Sequence, residues 1–268
     1  MKIPSFIYLY DGGKTESLNL NEISQYLANI FKISKIKIRK EFVTHYTENL
    51  NPQEKEKLIN QLAKEIAKIK VRKIEQKLTD FEPLYGEIEY EKRRLLNPDN
   101  KSFGILYDGF EYMAIISRLI PKEEASLNHC HIVFTNILFG SYDETDKRYH
   151  LRVSIYGFPS IISTTGIVEA PAKPREFYLK KQMGVDINIL KQEFCGKFID
   201  YDDPRMTEVM KGYVLQAVFY QMTGDPFCED KNCRLYNSHW QQEVIQSQIY
   251  SKNEFCKKHK EIINRLKC

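Results

Sequence analysis

Two pairs of metal-ligand side chains near the carboxyl end constrain this chain more than any other feature. Cys228 and Cys233 form the first pair, with four residues between them, and Cys256 and His259 form the second, with two between them. The 22 residues 234–255 separate the pairs. A structural zinc site takes about four nitrogen or sulphur ligands in a tetrahedron, commonly from two such pairs. The spacing therefore predicts one structural zinc ion per chain, which ties down the connection between the pairs.

The other cysteines and histidines give weaker signals. His239 is a competing ligand, but it stands alone in its segment, and Cys195 and Cys268 have no partner nearby and are predicted to be structural. His129 and His131 would share one face of a strand and could form a second metal cluster. No third ligand accompanies them in the sequence, so the Cys–His pairs remain the predicted site.

Composition limits the classes of protein to which the chain can belong. It is 42% hydrophobic and 28% charged, and its 17 Tyr and 15 Phe argue against general disorder. No apolar run approaches the roughly 20 residues that span a bilayer, so no membrane partner is expected. Residues 1–11 lack the cleavage site of a secretion signal, and we expect a cytoplasmic protein with reduced cysteines. The net charge of +4 permits a nucleic-acid partner without requiring one.

Hydrophobic periodicity predicts an α/β fold in which a mixed sheet is flanked by helices. Residues 3–10 and 35–43 have strand patterns, and residues 19–31 between them place apolar side chains at helical spacing. A strand–helix–strand opening is typical of a partly parallel sheet. Three later strands are predicted, at residues 131–140, 149–156 and 159–164.

The helices of the second half are marked by their end signals. A short helix is predicted at 180–194 and a longer one at 204–222. Asp203 is the expected N-cap of the longer helix, with Pro204 at its first position. Gly224 is the expected left-handed residue at its end. A further helix is predicted within the zinc-tied connection, at residues 241–250.

A long charged helix is predicted from residue 52 to about residue 78. Its lysines and arginines are interleaved with glutamates, which is typical of a solvated face with intrahelical ion pairs. The alternative is a basic face for RNA or a ribosome, aided by Lys257 and Lys258 near the end of the chain. Against this alternative, the basic residues are not interleaved with aromatic residues, and the acidic residues dilute the positive field.

Residues 217–228 have the frame of a metallopeptidase helix. Gly224, Cys228 and Cys233 lie in register with the glycine and the first two structural cysteines of the archaemetzincin family. The signature of that family is His-Glu-x-x-His-x-x-Gly-x-x-His-Cys, then Cys-x-Met and a later Cys-x-x-Cys. The chain resembles these zinc metallopeptidases, and looks closest to an archaeal branch of them. The resemblance implies a metzincin-like fold, and the strand-to-loop run 161–168 is similar as well.

The residues that carry activity in that family do not match. In the same register, the three zinc-binding histidines fall on Ala217, Gln221 and Phe227. The general-base glutamate falls on Val218, and the methionine falls on Leu235. A peptidase zinc needs about three protein ligands and an activated water, which these side chains cannot supply. His259 replaces the last cysteine of the second zinc site, an exchange of one zinc ligand for another.

The resemblance therefore implies a catalytically inactive metallopeptidase-like protein that retains a structural zinc site. We expect a binding or regulatory role with an unknown protein or nucleic-acid partner, and predict no catalytic residues. One alternative is the RNA- or ribosome-associated factor. The other is a metal-dependent hydrolase with a non-standard centre drawn from His150, Glu169, Asp202 and Asp203. The predicted domains are a metzincin-like lobe at residues 1–223 and a small zinc-tied lobe at 224–268.

Overall fold

The computed structural model describes residues 2–13, 15–32, 35–98 and 104–266. The strands are β1 (Phe6–Gly12), β2 (Ile36–Lys40), β3 (Leu106–Asp108), β4 (His129–Thr135), β5 (Leu138–Asp143), β6 (Arg148–Arg152), β7 (Ser154–Ile155) and β8 (Ser160–Ser163). The helices are α1 (Leu20–Phe31), α2 (Phe42–Thr47), α3 (Pro52–Lys68), α4 (Tyr85–Leu96), α5 (Gly109–Ser117), α6 (Thr164–Glu169), α7 (Arg175–Gln182), α8 (Ile187–Glu193), α9 (Met206–Thr223), α10 (Gln241–Ile245) and α11 (Lys257–Leu266). A π-helical turn, Gln246–Tyr250, continues α10.

The main sheet has five strands in the order β2-β1-β4-β8-β7. The first four run parallel to one another, and β7 runs antiparallel at the edge. Alternate residues of β1 face opposite cores: Leu9 packs in a cluster with α1 and α9, and Tyr8 packs in a cluster with α3 and α5. Helices thus cover both faces, as parallel strands require. The predicted fold class, a mixed sheet flanked by helices, is confirmed.

A second, smaller sheet has the order β3-β5-β6. Because of this sheet, two of the segments that were predicted as single strands are divided between two sheets. Residues 131–140 form β4 in the main sheet and β5 in the small sheet, and residues 149–156 are likewise divided into β6 and β7. The prediction that each of these segments forms one continuous strand was wrong. Contacts with distant residues hold the chain where it passes from one sheet to the other. The Thr165 hydroxyl, for example, donates to the Asn136 carbonyl at 2.7 Å. Such a tertiary contact cannot be predicted from the local periodicity of the sequence.

Other helix boundaries also differ from their predictions. The charged helix predicted at 52–78 ends at Lys68, because the chain then runs beside β3, where the Val71 amide donates to the Leu106 carbonyl at 2.8 Å. The helix predicted at 180–194 is divided into α7 and α8. Between them Gly184 has a φ of 84°, a left-handed conformation that interrupts a helix. None of the helices in the described part of the chain is long and apolar enough to cross a membrane.

Helix α9 lies in the larger core and is buried on almost every side. A helix that is apolar nearly all round is expected in such a place. The helix predicted at 204–222 and its end at Gly224, whose φ is 77°, are confirmed. The predicted N-cap was wrong: the Asp203 carboxylate instead accepts from the amide and the side chain of Arg205, and α9 begins at Met206 without a side-chain cap.

The carboxyl-terminal segment shares the core of α9. Leu235, Val244 and Ile263 belong to the same buried cluster as residues of β1, α1 and α9. The helix predicted at 241–250 is confirmed as α10 and the π-helical turn. The division into domains at residue 223 stays a prediction.

Candidate metal centre and neighbouring groove

A tight loop after α9 presents the first pair of predicted ligands. The Cys228 amide donates to the Leu235 carbonyl at 2.8 Å, and the Cys233 amide donates to the Asp230 carbonyl at 2.9 Å. The Cys228 sulphur accepts a hydrogen bond from the Asp230 amide at 3.4 Å. Leu235 is fully buried. These local hydrogen bonds fold the loop back on itself, so that its two cysteines come close together.

The second pair lies where α11 begins. The Cys256 carbonyl accepts a hydrogen bond from the Lys260 amide at 2.9 Å, so Cys256 stands immediately before the helix and His259 lies in the first turn. Residues three positions apart lie on the same face of a helix. Accordingly, the Nδ1 atom of His259 lies 3.1 Å from the Cys256 sulphur.

The four ligand atoms lie within 4.8 Å of one another. Tetrahedral zinc binds sulphur at about 2.3 Å and nitrogen at about 2.0 Å, which places two sulphurs about 3.8 Å apart and a sulphur and a nitrogen about 3.5 Å apart. The Cys228 and Cys256 sulphurs are 3.8 Å apart, and the Cys233 sulphur is 3.6 Å from His259 Nδ1. The 3.1 Å contact between Cys256 and His259 is shorter than this spacing. Taken together, the group has the size that a four-coordinate metal ion needs.

Burial sets the protonation of this group. It raises the pKa of Cys233 to about 12 and also raises the pKa of Cys228, so both are thiols at neutral pH until a metal displaces the protons. Burial lowers the pKa of His259. Its imidazole is therefore neutral, and Nδ1 can offer a lone pair to a metal.

The metal group is attached directly to α9. The ring of His259 meets the ring of Phe219 edge-on, with 5.4 Å between the centroids. In the loop between the cysteines and α10, Arg234 pairs with Glu208 of α9 and with Glu254, at 3.2 Å for the latter. A ring contact and an ion-pair network thus join the candidate centre to α9.

The weaker candidate ligands lie elsewhere. His239 is not a member of the Cys–His group, and its amide donates to the Glu243 carboxylate at 2.9 Å. Cys195 is an exposed free thiol. Cys268 lies outside the described residues. The group is therefore the one that the spacing of the two pairs predicts.

His129 and His131 lie on one face of β4, as predicted, since the rings of both lie within 6 Å of the Tyr8 ring. Hydrogen bonds occupy both nitrogens of His131: Nδ1 lies 2.8 Å from the Tyr10 hydroxyl, and Nε2 lies 3.2 Å from the Glu124 carbonyl. Burial lowers the pKa of His131 to about 4. Within the described ranges no third ligand joins these histidines, and His131 is a hydrogen-bonded core residue.

A second group of possible ligands surrounds the turn between β5 and β6. Asp143, Asp146 and His150 have ligand atoms within 4.8 Å of one another. The side chains are partly or largely exposed, and His150 Nε2 lies 2.7 Å from the Asp146 carboxylate. Exposed acidic groups of this kind are common without a metal. Sequence reasoning did not name this combination, although the spacing Asp-x2-Asp-x3-His across a turn is a signal for it.

The residues of the alternative hydrolase centre are not brought together. The Asp203 carboxylate is paired with Arg205 at 2.7 Å, and Glu169 accepts a hydrogen bond from the Tyr201 hydroxyl at 3.1 Å. Among the residues that the structure describes, His150, Glu169, Asp202 and Asp203 share no group of ligand atoms.

The four positions that the archaemetzincin resemblance assigns to peptidase residues are also separated. Ala217 and Val218 are 0% exposed and belong to the core. The Gln221 side chain donates to the Leu127 carbonyl at 3.3 Å. Phe227, in the loop after α9, is 37% exposed. Over the described length of α9, no three metal-ligating side chains come together.

An aromatic side chain, Tyr156, fills the space between α9 and the loop that follows it. Its ring lies 6.2 Å from the ring of Tyr220 and 5.8 Å from the ring of Phe227. Its hydroxyl donates to the side-chain oxygen of Gln216, and burial raises its pKa well above the ordinary value. Sequence reasoning missed Tyr156, since a tyrosine after an edge strand is not a specific signal.

Two cavities are lined by residues that Tyr156 contacts: Tyr220 lines one, and Gln216 and Phe227 line the other. The larger, of about 520 Å³, we call the apolar groove; its lining includes Leu127, Phe158, Tyr220 and Gln221. The smaller, of about 100 Å³, has a more polar lining that includes Ser154, Gln216, Asn237 and His239. A third cavity, of about 690 Å³, lies beside Cys256.

Comparison with known proteins gives one match. Residues 3–266 match the model of a family described as "Probable metallopeptidase family (DUF6775)". No curated protein and no solved structure matches the chain. The matched range includes α9 and all four candidate metal ligands.

Proposed function

The chain belongs to this metallopeptidase family, and we propose that it is a member without a peptidase centre: a binding or regulatory protein with one structural zinc ion. One observation carries the proposal. The Cys3His group beside α9 has the spacing of a metal site, whereas the positions on α9 that align with the peptidase residues are buried in the core or turned to other contacts.

Zinc fits the donor set better than the other common metals. Three thiolates and an imidazole are soft or borderline ligands, which favour zinc over magnesium or calcium. With four protein ligands the coordination is closed, and no position is left for an activated water. Cys228, Cys233, Cys256 and His259 would hold the ion, which would supply folding free energy rather than chemistry.

The proposed ion acts on the fold through α9. By linking Cys233 to His259, it would close the connection between the loop after α9 and α11. The Phe219 ring and the Glu208–Arg234 ion pair would pass this restraint to α9. The helix that carries the peptidase frame then serves as a scaffold.

A family-type peptidase centre is missing for two chemical reasons. Ala217 and Phe227 have no metal-binding atom, and Gln221 is a neutral, weak ligand whose amide nitrogen donates to the Leu127 carbonyl. Val218 cannot accept a proton from water. We therefore expect no peptidase activity, even with added zinc.

The apolar groove is the surface that we propose for the partner. It lies beside the inactive centre, and its apolar lining suits the hydrophobic side chains of a protein partner. The relation to archaemetzincins also belongs to this proposal, supported by the register from Gly224 to His259. The cytoplasm is the proposed compartment, because the five described cysteines form no disulfide.

The test is the zinc content of the purified chain and of two variants. We expect one zinc ion per wild-type chain and none in Cys233→Ser, because Cys233 is a buried ligand. Loss of a structural metal should lower Tm by roughly 10 °C or more for a chain of this size. The matched control is Cys195→Ser, which removes an exposed thiol outside the group and should keep both zinc and Tm.

Two results would contradict the proposal. A wild-type chain that binds no zinc, or whose Tm is the same with and without zinc, would contradict the structural site. A second zinc ion, together with peptide hydrolysis that disappears in Gln221→Ala, would restore a catalytic centre to α9.

A further inference from the structure

The hairpin formed by α7 and α8 exposes an unusual number of large apolar side chains. They lie within twelve positions: Tyr178 is 40% exposed, Leu179 47%, Met183 81%, Ile187 41% and Ile189 56%. Isolated exposed hydrophobic residues are normal on a protein surface, but contiguous patches mark sites of interaction. We call these five residues the hairpin patch.

The hairpin keeps its own small core while the patch stays outside it. Phe177, Leu190, Phe194 and Phe198 form a buried cluster separate from the two large cores. The ring of Phe177 meets those of Phe194 and Phe198 edge-on, at 5.7 and 5.5 Å. The exposed residues are therefore not a core left unpacked, because other side chains already fill that role.

The hairpin also carries an excess of positive charge. Residues 173–200 contain six basic and four acidic side chains. Ion pairs join Lys180 to Glu193 and Lys191 to Asp200. In the part of the chain that the structure describes, three further cations form no ion pair, Arg175, Lys181 and Lys197, against two unpaired acids, Glu176 and Asp186; Lys197 lies over the Phe194 ring at 4.9 Å. The apolar patch is thus accompanied by unpaired cations, which complement an anionic surface.

The exposure of the hairpin patch and the positive charge of its segment favour an anionic lipid surface as the occupant. The hairpin lines none of the three cavities described above. A protein helix normally docks into a groove. Apolar side chains at the turn of a short hairpin can instead enter the boundary between headgroups and acyl chains, while lysines contact the headgroups.

We propose that the α7–α8 hairpin attaches this protein reversibly to an anionic lipid bilayer. The hairpin patch would enter the interface, and Arg175, Lys181 and Lys197 would bind the headgroups. The cytoplasmic leaflet carries a negative charge that attracts lysine and arginine side chains near its surface. This contact is peripheral, so it needs no spanning helix, and it is independent of the proposed zinc site.

Sedimentation with lipid vesicles tests the proposal. Wild-type protein should pellet with vesicles of equal parts phosphatidylcholine and phosphatidylserine, and should stay in solution with pure phosphatidylcholine. Added salt should release it. The double substitution Leu179→Gln and Met183→Gln should weaken binding roughly tenfold, because two apolar side chains no longer enter the bilayer interface.

Matched controls distinguish the patch from general surface effects. Leu84→Gln with Tyr85→Gln removes an apolar pair of similar exposure at the start of α4, and should leave binding unchanged. Lys181→Glu with Lys197→Glu should abolish binding. Lys57→Glu with Lys122→Glu makes the same change of net charge elsewhere and should weaken binding much less.

Three outcomes would overturn the proposal. The first is no binding of the wild type to anionic vesicles. The second is an equal loss of binding in the Leu84 and Tyr85 control. The third is self-association: if sedimentation equilibrium shows a dimer that the Leu179 and Met183 substitutions dissociate, a second copy of the chain covers the patch.

Discussion

The imidazole of His259 has two neighbours, and its role as a ligand can be separated from its role in packing. Its Nδ1 atom faces the sulphurs of Cys233 and Cys256, and its ring edge meets Phe219. A cysteine at this position could bind the metal but could not make the ring contact. An alanine could do neither.

We predict that His259→Cys keeps its zinc and His259→Ala loses it. The cysteine variant should lose only the ring contact, about 0.5–1.5 kcal/mol of stability. The alanine variant should show the larger loss expected for Cys233→Ser. Metal analysis and thermal unfolding measure both effects, with His239→Ala as the control outside the group. Full zinc content in the alanine variant would show that His259 is not a ligand.

His131 makes folding stability depend on pH. Its folded pKa of about 4 lies below its ordinary value of 6.5, because burial disfavours the charged ring. As the pH falls, the unfolded chain therefore binds this proton first. The contribution of His131 to stability is complete above about pH 6.5 and is lost progressively towards pH 4.

The variant His131→Asn should flatten this dependence. It removes the titrating ring but keeps a polar group near the Tyr10 hydroxyl. Urea midpoints measured at about pH 7 and about pH 4.5 should fall less in the variant than in the wild type. Both proteins carry the same metal group, so acid release of zinc cancels in the comparison. Equal pH slopes would contradict the assignment.

At the scale of elements, patterns that depend on neighbouring residues were predicted well. The periodicity of β1, α1 and α9, and the left-handed end at Gly224, are local properties of the chain. The divided strand at 131–140 and the early end of α3 depend on pairing with distant residues, such as Leu106 of β3. Short windows of sequence cannot contain that information.

The candidate site follows the same rule. Each ligand pair lies within one turn or loop, so the spacing alone predicted the Cys3His group. Tyr156 comes from a different part of the chain than Tyr220 and Phe227. The position of Tyr156 is set by packing of the main sheet against α9. No local sequence motif predicts that packing.

Removing the metal should loosen specific elements rather than the whole fold. We predict that a chelator increases hydrogen exchange in the loop 228–236, in α11 and in the last turns of α9. Exchange in β1 and β4 should stay slow, because these central strands are buried away from the metal group. Hydrogen-exchange mass spectrometry with and without chelator measures this. Uniform protection in both states would show that the metal group does not restrain α9.

For the molecule as a whole, the basic charge of α3 is partly neutralised by ion pairs with other segments. The α3 lysines Lys64 and Lys68 both pair with Glu82, and Arg118 pairs with Glu65 of the same helix. Such pairs reduce the positive field that α3 could present to RNA. The RNA- or ribosome-associated alternative keeps its basis in composition, but the arrangement of α3 does not add to it.

The shared core decides whether the predicted domains can be separated. The larger core combines residues of α9 with Leu235, Val244 and Ile263, all of which lie beyond residue 223. A fragment ending at residue 223 would expose the apolar side of α9 that these residues cover. At about 25 cal/mol per Å² of apolar surface, each 100 Å² so exposed costs about 2.5 kcal/mol, a sizeable part of the roughly 5–15 kcal/mol that stabilises a domain.

We therefore predict that fragment 1–223 does not unfold cooperatively and binds a hydrophobic dye, whereas the full chain shows one transition. The chelator-treated full chain is the informative control. It lacks the metal but keeps the covering residues, so it should still unfold cooperatively, at a lower Tm. A fragment with a sharp transition near that of the full chain would show that the lobe 1–223 is autonomous. In that case the carboxyl-terminal lobe would be an attachment to the fold, and its metal group would not be needed to hold α9.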